Sequence, residues 1–269
     1  MAVITTRKEG DVLVVVSDNP PVNALGADVR IGLVEAIRAA DADSAVTAVV
    51  IRGAGRTFFA GADITEFGAP MRGPQLPEVV DIIEACTKPV VAAIHGTALG
   101  GGLEVALACH YRVAVPSAKL GLPEVKLGIL PGAGGTQRLP RVVGVEAALP
   151  MIVSGDPIPA KTGQAIGLID RIVGEDSLEA DAIAFARDMA AKGGHPVASR
   201  GTATAEPGLF DHFRKENARR LKGYEAPEAC IQAIEAATTL PFDQGMAKER
   251  ALFTPVSYTH LTLPTKRIV

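Results

Sequence analysis

Three short apolar runs constrain this chain most: VLVVV at 12–16, AVVI at 48–51 and VVAAI at 90–94. None alternates polar with apolar residues, so each reads as a strand buried on both faces. Between them lie stretches of helical spacing, 27–40 with Val29, Leu33 and Ile37 on one face, and 78–86. Strand and helix in alternation predict an α/β fold with a mostly parallel sheet. The pattern continues with a helix at 103–109, short strands at 112–115 and 119–122, and helices at 136–143, 147–153 and 160–167. A strand at 169–173 and an amphipathic helix at 178–191 complete a core spanning 1–192. Residues 193–208 turn to Gly, Pro, Thr and Ala and predict a linker. Helices at 209–221, 225–239 and 245–253 form a helical region over 193–254. The tail 255–269 shows no helical period and is expected to be non-native.

Composition removes several functions. The net charge is −3, aromatics are 4% and tryptophan is absent. A basic face or a set of base-stacking rings is therefore not expected, nor is a nucleic-acid partner. No apolar run reaches the ~18 residues of a membrane span, and the start MAVITTRKEGD has no signal-like core, so no membrane association is expected. Cys86, Cys109 and Cys230 are odd in number and far apart. They predict free thiols in a reducing, cytoplasmic setting. The five histidines lack metal-ligand spacing, and His95 and His110 read as structural. Three further motifs fail. Gln137 stands where the third glycine of GxGxxG belongs, Lys161-Thr162 lacks the preceding glycine of a P-loop, and GxSxG is absent.

What stays is the stretch 89–141, with Glu104 and Glu124 each following a Gly or Pro turn among apolar runs. A carboxyl in such a setting resists ionisation, so its pKa moves toward the range useful for proton transfer. Gly100-Gly101-Gly102 ends a strand and opens a helix, leaving backbone N–H groups at a positive helix end. Plainer readings stand beside these. Glu124 fits a solvated loop, Glu104 a first-turn acid favoured by the helix dipole, the glycines a packing turn, and Ala60 and Ala62 plain core.

Three segments together resemble the enoyl-CoA hydratase/isomerase, or crotonase, family: FAGADI at 59–64, HGTALGGGLEVALACHYR at 95–112 and GLPEVKLGILPGAGGTQRLPR at 121–141. With APEACIQAIEAATTLPFDQGMAKERALF downstream, the pattern resembles most the amino-terminal part of the bifunctional β-oxidation branch. There this unit is joined by a helix to a 3-hydroxyacyl-CoA dehydrogenase. The resemblance implies a spiral of ββα units with a helical carboxy-terminal region, and a chain that stops inside the joining helix. It implies hydration of trans-2-enoyl-CoA in fatty-acid breakdown, with Δ3,Δ2-enoyl-CoA isomerisation as an accompanying activity. Glu104 and Glu124 become the catalytic pair, the N–H groups of Ala62 and Gly101 the oxyanion hole, and Gly132 a water-positioning backbone. Ala24, Ala60, Asp63 and Ile64 become the coenzyme A contacts, and the 68–77 loop a wall of the acyl pocket. No cofactor is implied beyond the coenzyme A thioester itself; NAD would belong to the missing dehydrogenase part. Partners implied are the acyl-CoA and either a homotrimer or the intramolecular dehydrogenase domain. Many family members carry Cys-Asp where this chain has Cys109-His110. Another family hydrolase or lyase, or an acyl-CoA-binding module inactive without its dehydrogenase half, is the competing reading.

Overall fold

The computed structural model describes residues 2–66, 70 and 72–261. Strands β1 (Ile4–Glu9), β2 (Val12–Ser17), β3 (Ala48–Gly53), β4 (Val90–Ile94), β6 (Tyr111–Ala114) and β9 (Arg171–Ile172) form one sheet in the order β1-β2-β3-β4-β6-β9. Within this sheet, among the described residues, only the β1–β2 pair is antiparallel. Every residue of β4 is fully buried, as a parallel strand covered on both faces requires. Each such valine or isoleucine contributes about 1.5–3 kcal/mol by leaving water. On the sheet pack α1 (Ala27–Ala42) and α7 (Leu178–Lys192), the latter against β3 and β4.

A second, three-stranded sheet holds β5 (Thr97–Leu99), β7 (Lys119–Gly121) and β8 (Ile158–Pro159). Successive turns of chain contribute to both sheets and then to a helix. β4 leads to β5 and then α3 (Gly101–Ala108); β6 leads to β7 and then a 3-10 helix at Pro123–Leu127. β3 leads to an isolated bridge between Phe59 and Ala98, and then to α2 (Leu76–Glu84). This is the ββα spiral, and it stacks the three strand-to-helix turns beside one another. The remaining core helices are α4 (Gly135–Val143), α5 (Val145–Ser154) and α6 (Ala160–Ala165). The helical region holds α8 (Leu209–Leu221), α9 (Glu225–Thr239) and α10 (Phe242–Leu261).

Beyond the short strands β5 and β8, which no apolar run foretells, the structure differs from the sequence expectations at three further places. β1 was not expected, because ITTRKE is polar and almost wholly exposed; it is an edge strand, where charged side chains discourage further pairing. The predicted linker at 193–208 is packed rather than free. The His195 ring lies against His110 with 3.7 Å between centroids, and the Ser199 amide donates to Glu84. The aperiodic tail was expected to fall outside the helices from 255, yet the backbone stays helical to Leu261. Once the packed first half has nucleated the helix, each further residue adds a hydrogen bond without a new nucleus. Residues 262–269, and 67–69 with 71 of the proposed acyl-pocket loop, lie outside the described residues.

Candidate active site

Glu104 sits in the first turn of α3 and is 3% exposed. Its Oε1 accepts hydrogen bonds from Ala133 N at 2.7 Å and Gly135 N at 2.9 Å. Burial pushes its pKa up, against the opposing pull of those two amides and the Arg138 charge. Glu124 lies on the Pro123–Leu127 3-10 helix. The residue is half-buried, but its carboxyl end is enclosed: Oε2 is buried and has no hydrogen-bond partner among the described residues. Burial raises its pKa well above the carboxylate range, and the charges of Glu104 and Glu249 add to that. Glu124 is therefore not a solvated loop residue.

The turn before α3 brings the other predicted groups alongside. Gly100 has φ +55 and ψ −128, a conformation open to glycine, and a Cβ there would stand 3.0 Å from Glu124 Oε1. A Cβ on Gly101 would lie 3.5 Å from Ala62 N, so the Ala62 amide nitrogen stands beside the start of α3. Among the described residues, neither amide gives a hydrogen bond to a backbone acceptor. Ala62 is exposed rather than core, and Ala60 is half-buried.

The segments carrying Ala24 and Ala60–Ile64 run side by side. Leu25 N donates to Gly61 O, Ala60 N donates to Val22 O, and Leu25 bridges Ala62. Buried Asn23 holds a left-handed φ of +52 and ties this corner to the next loop through Ala54 O and Thr57 O. Asparagine is among the few residues that tolerate that region. Asp63 Oδ1 accepts from the Thr65 amide and hydroxyl, and Ile64 opens a 3-10 turn. Gly132 lies on the turn before α4, where a Cβ would meet the Phe253 ring at 2.9 Å.

Two groups escaped the sequence reading. Arg138, fully buried in α4, pairs with Glu84 at 2.9 Å and Asp81 at 2.8 Å and also donates to Ala133 O. It thus braces the turn that holds Glu104, although its place in the GGTQRLPR segment gave no hint of burial. Glu249, from α10, is 1% exposed and accepts from Gly134 N, Thr136 N and the Thr136 hydroxyl. Its local sequence, MAKERAL, reads as a solvated helix face. His110 is bonded through both ring nitrogens, whereas His95 Nδ1 is buried without a hydrogen-bond partner among the described residues. His110 accepts from Val90 N through Nδ1, and its Nε2 meets Glu84 O. His95 Nε2 meets Gly55 O. Among the described residues no group of His, Cys, Asp or Glu could hold a metal ion, and no helix is long and apolar enough to cross a membrane.

Residues 7–205 match the model of the enoyl-CoA hydratase/isomerase family. The chain is 47% identical over 241 residues to the peroxisomal bifunctional enzyme of Danio rerio, covering 87% of this chain and 33% of that protein. It therefore spans about a third of the length of the first curated relatives it matches. A Bacillus subtilis (strain 168) protein named "Probable enoyl-CoA hydratase" is 46% identical over 202 residues, 71% of this chain and 76% of that one. Among solved structures, EchA1_1 from Mycobacterium paratuberculosis superposes with a TM-score of 0.69 at 30% identity, covering 94% of this chain and 91% of that one. Fold, motif positions and these likenesses agree: the chain belongs to the enoyl-CoA hydratase/isomerase family.

Proposed function

We propose that this chain adds water across the C2=C3 bond of trans-2-enoyl-CoA thioesters in fatty-acid β-oxidation. One observation carries the proposal: two enclosed, mutually repelling acids, Glu104 and Glu124, stand at the same helix start as the amides of Ala62 and Gly101, which among the described residues bond no backbone acceptor. The relatives' names support the reaction class.

Unequal surroundings divide the roles. Glu104 has two N–H donors and the Arg138 charge favouring its ionised form. Glu124 has two like charges opposing ionisation and an oxygen without a partner. Of the two, Glu104 is the one whose surroundings favour the carboxylate, and Glu124 the one whose surroundings favour the acid. Glu104 takes a proton from water as the water oxygen bonds to C3. The C2=C3 electrons move toward the thioester carbonyl, whose oxygen gains charge between the Ala62 and Gly101 amides. Glu124 delivers its proton to C2, giving the 3-hydroxyacyl thioester. The proton then returns from Glu104 to Glu124 through solvent. Each amide of such a hole lowers the barrier by about 3–4 kcal/mol. Gly132 lines the water's approach with backbone, while Ala24, Ala60, Asp63 and Ile64 hold the coenzyme A. The same acids can carry a proton between C2 and C4, giving Δ3,Δ2-isomerisation as a second activity.

The site asks for no cofactor beyond the coenzyme A carried by the substrate. We place the core at 1–192 and the helical region at 193–254, with α10 as the start of a connection to a dehydrogenase half carrying the NAD site. Light scattering distinguishes a homotrimer from a monomer whose corresponding surface that half would cover. The free, buried thiols Cys86, Cys109 and Cys230 suit a reducing cytoplasmic compartment, which a fluorescent fusion tests.

The deciding assay follows crotonyl-CoA hydration by the parent chain and by Glu104→Gln and Glu124→Gln. Activity is expected to fall about 10²–10⁴-fold in each variant. Full activity in both ends the proposal. Release of free coenzyme A in the mass spectrum assigns a hydrolase instead, and binding without turnover assigns a carrier module.

A further inference from the structure

Four successive peptide N–H groups open α4, and they are dealt alternately to two acids. Ala133 and Gly135 donate to Glu104. Gly134 and Thr136 donate to Glu249, at 2.8 and 3.1 Å, and the Thr136 hydroxyl joins them. The turn that grips Glu104 is thus clamped on its other side by a carboxylate more than a hundred residues further along the chain. Phe253, one helical turn beyond Glu249 on α10, fills the space beside Gly132. Glu249 lies outside the stretch that matches the family model.

We propose that Glu249 is a positioning residue for proton transfer: it fixes the Gly134 and Thr136 peptides so that the interleaved amides of Ala133 and Gly135 hold Glu104 in place. This rests on the hydratase reading above.

The electrostatics agree with the geometry. Burial and then the Glu104 charge push Glu249 up to about 8, against the pull of the Thr136 hydroxyl and the two amides. Above about pH 8, where Glu249 ionises, its charge adds to the forces that hold Glu124 protonated. The groups facing Glu249 come from four elements. They are Glu104 of α3, Glu124 of the 3-10 helix, the Thr136 hydroxyl of α4 and the Cys230 thiol of α9. Burial raises Cys230 first, with Glu124 and Glu249 adding, so it stays a neutral thiol. The plainer role for Glu249 is a cap on α4. Removing a residue confined to capping lowers stability and leaves kcat unchanged.

The test uses the full chain, its Glu249→Gln variant and its Thr136→Val variant. Three quantities are measured: crotonyl-CoA hydration against pH, the melting temperature, and the carbon-13 titration of the glutamate carboxyls without substrate. In Glu249→Gln, kcat is expected to fall about tenfold or more with KM within about twofold. The alkaline limb of kcat/KM and the Glu124 midpoint are expected to move together to lower pH, because a like charge has left. Thr136→Val removes one donor from Glu249 and is expected to shift both in the same direction by less; it decides the matter if the glutamine variant does not fold. A lower melting temperature with kcat and the Glu124 midpoint unmoved overturns the proposal, as does no change at all. Should the parent chain not hydrate crotonyl-CoA, the reaction assignment fails, and the Glu124 titration alone decides the role of Glu249.

Discussion

Replacing Gly101 with alanine tests the amide pair most directly, because the added methyl carries no charge and leaves both acids in place. The Gly101 backbone is not in the left-handed region, so alanine meets no torsional penalty there. Its Cβ would stand 2.7 Å from Leu76 Cδ2 and 3.2 Å from Leu25 Cδ1, both ends of flexible side chains, and 3.5 Å from Ala62 N. Side-chain adjustment makes the structural cost about 1–3 kcal/mol. The functional cost is larger. A carbonyl oxygen bonding both amides must sit about 2.9 Å from each nitrogen, and the methyl intrudes on that space. Losing one donor of such a hole lowers kcat by about 10²–10³-fold, or about 3–4 kcal/mol. Gly102→Ala is the control. Its Cβ would fall 2.8 Å from the Phe59 carbonyl carbon and closer still to its oxygen. That oxygen accepts from Leu99 N at 3.1 Å, so this substitution strikes backbone that joins the two sheets. The assay pairs crotonyl-CoA kinetics with thermal melting. Gly101→Ala is expected to melt within a few degrees of the parent and lose about a hundredfold in kcat/KM, whereas Gly102→Ala loses the fold first. A Gly101→Ala variant with parental kcat/KM would refute the placement of the oxyanion hole.

Other outcomes follow from the buried charges. Glu124 has a folded-state pKa raised above its unfolded value, so its contribution to stability is greatest below about 4.5 and diminishes as pH rises toward the folded value. Glu124→Gln is therefore expected to lose activity yet melt no lower than the parent at pH 8; a lower melting temperature there contradicts the assignment. His110 runs the other way. Burial, and then the His195 ring, depress it to about 4, so its contribution is present above about 6.5 and lost as pH falls toward 4. Denaturant titrations between these limits should show about 3 kcal/mol of acid destabilisation that His110→Gln lacks. Arg138→Met leaves Glu84 enclosed without its partner, a cost of about 3–5 kcal/mol in urea unfolding. It also removes a charge that favours ionised Glu104, so the acid limb of the rate profile should move to higher pH; an unmoved limb separates Arg138 from the site.

The strands and the local turns were readable because their causes are local. The VVAAI run occupies β4 over its full length, and the predicted helices at 209–221 and 225–239 have the bounds of α8 and α9. Glu104 was legible as an acid in a helix's first turn after three glycines, a position that is itself a local pattern. The order in which strands alternate between two sheets was not, because β5, β7 and β8 are only two or three residues long. Those strands take their register from neighbours distant in sequence, and the spiral entered through family resemblance alone. Glu249 lay beyond sequence reasoning for the same reason. Between Lys248 and Arg250 it looks like part of a solvated charged face, and its burial exists only after α10 has crossed the turn at 132–136. The packing of 193–208 was hidden likewise, since a Gly- and Pro-rich composition reports local freedom and not the His195 ring resting on His110.

The run of amides from Ala133 to Thr136 carries a consequence for variation. Its side chains can change wherever space permits, but its length cannot. One residue inserted ahead of Ala133, with Gly132 and the two acids in place, would slide the run by one, so that the Gly134 amide faces Glu104 and those of Ala133 and Gly135 face Glu249. A stretch whose glycines resemble an ordinary loop should therefore accept substitutions more readily than insertions or deletions.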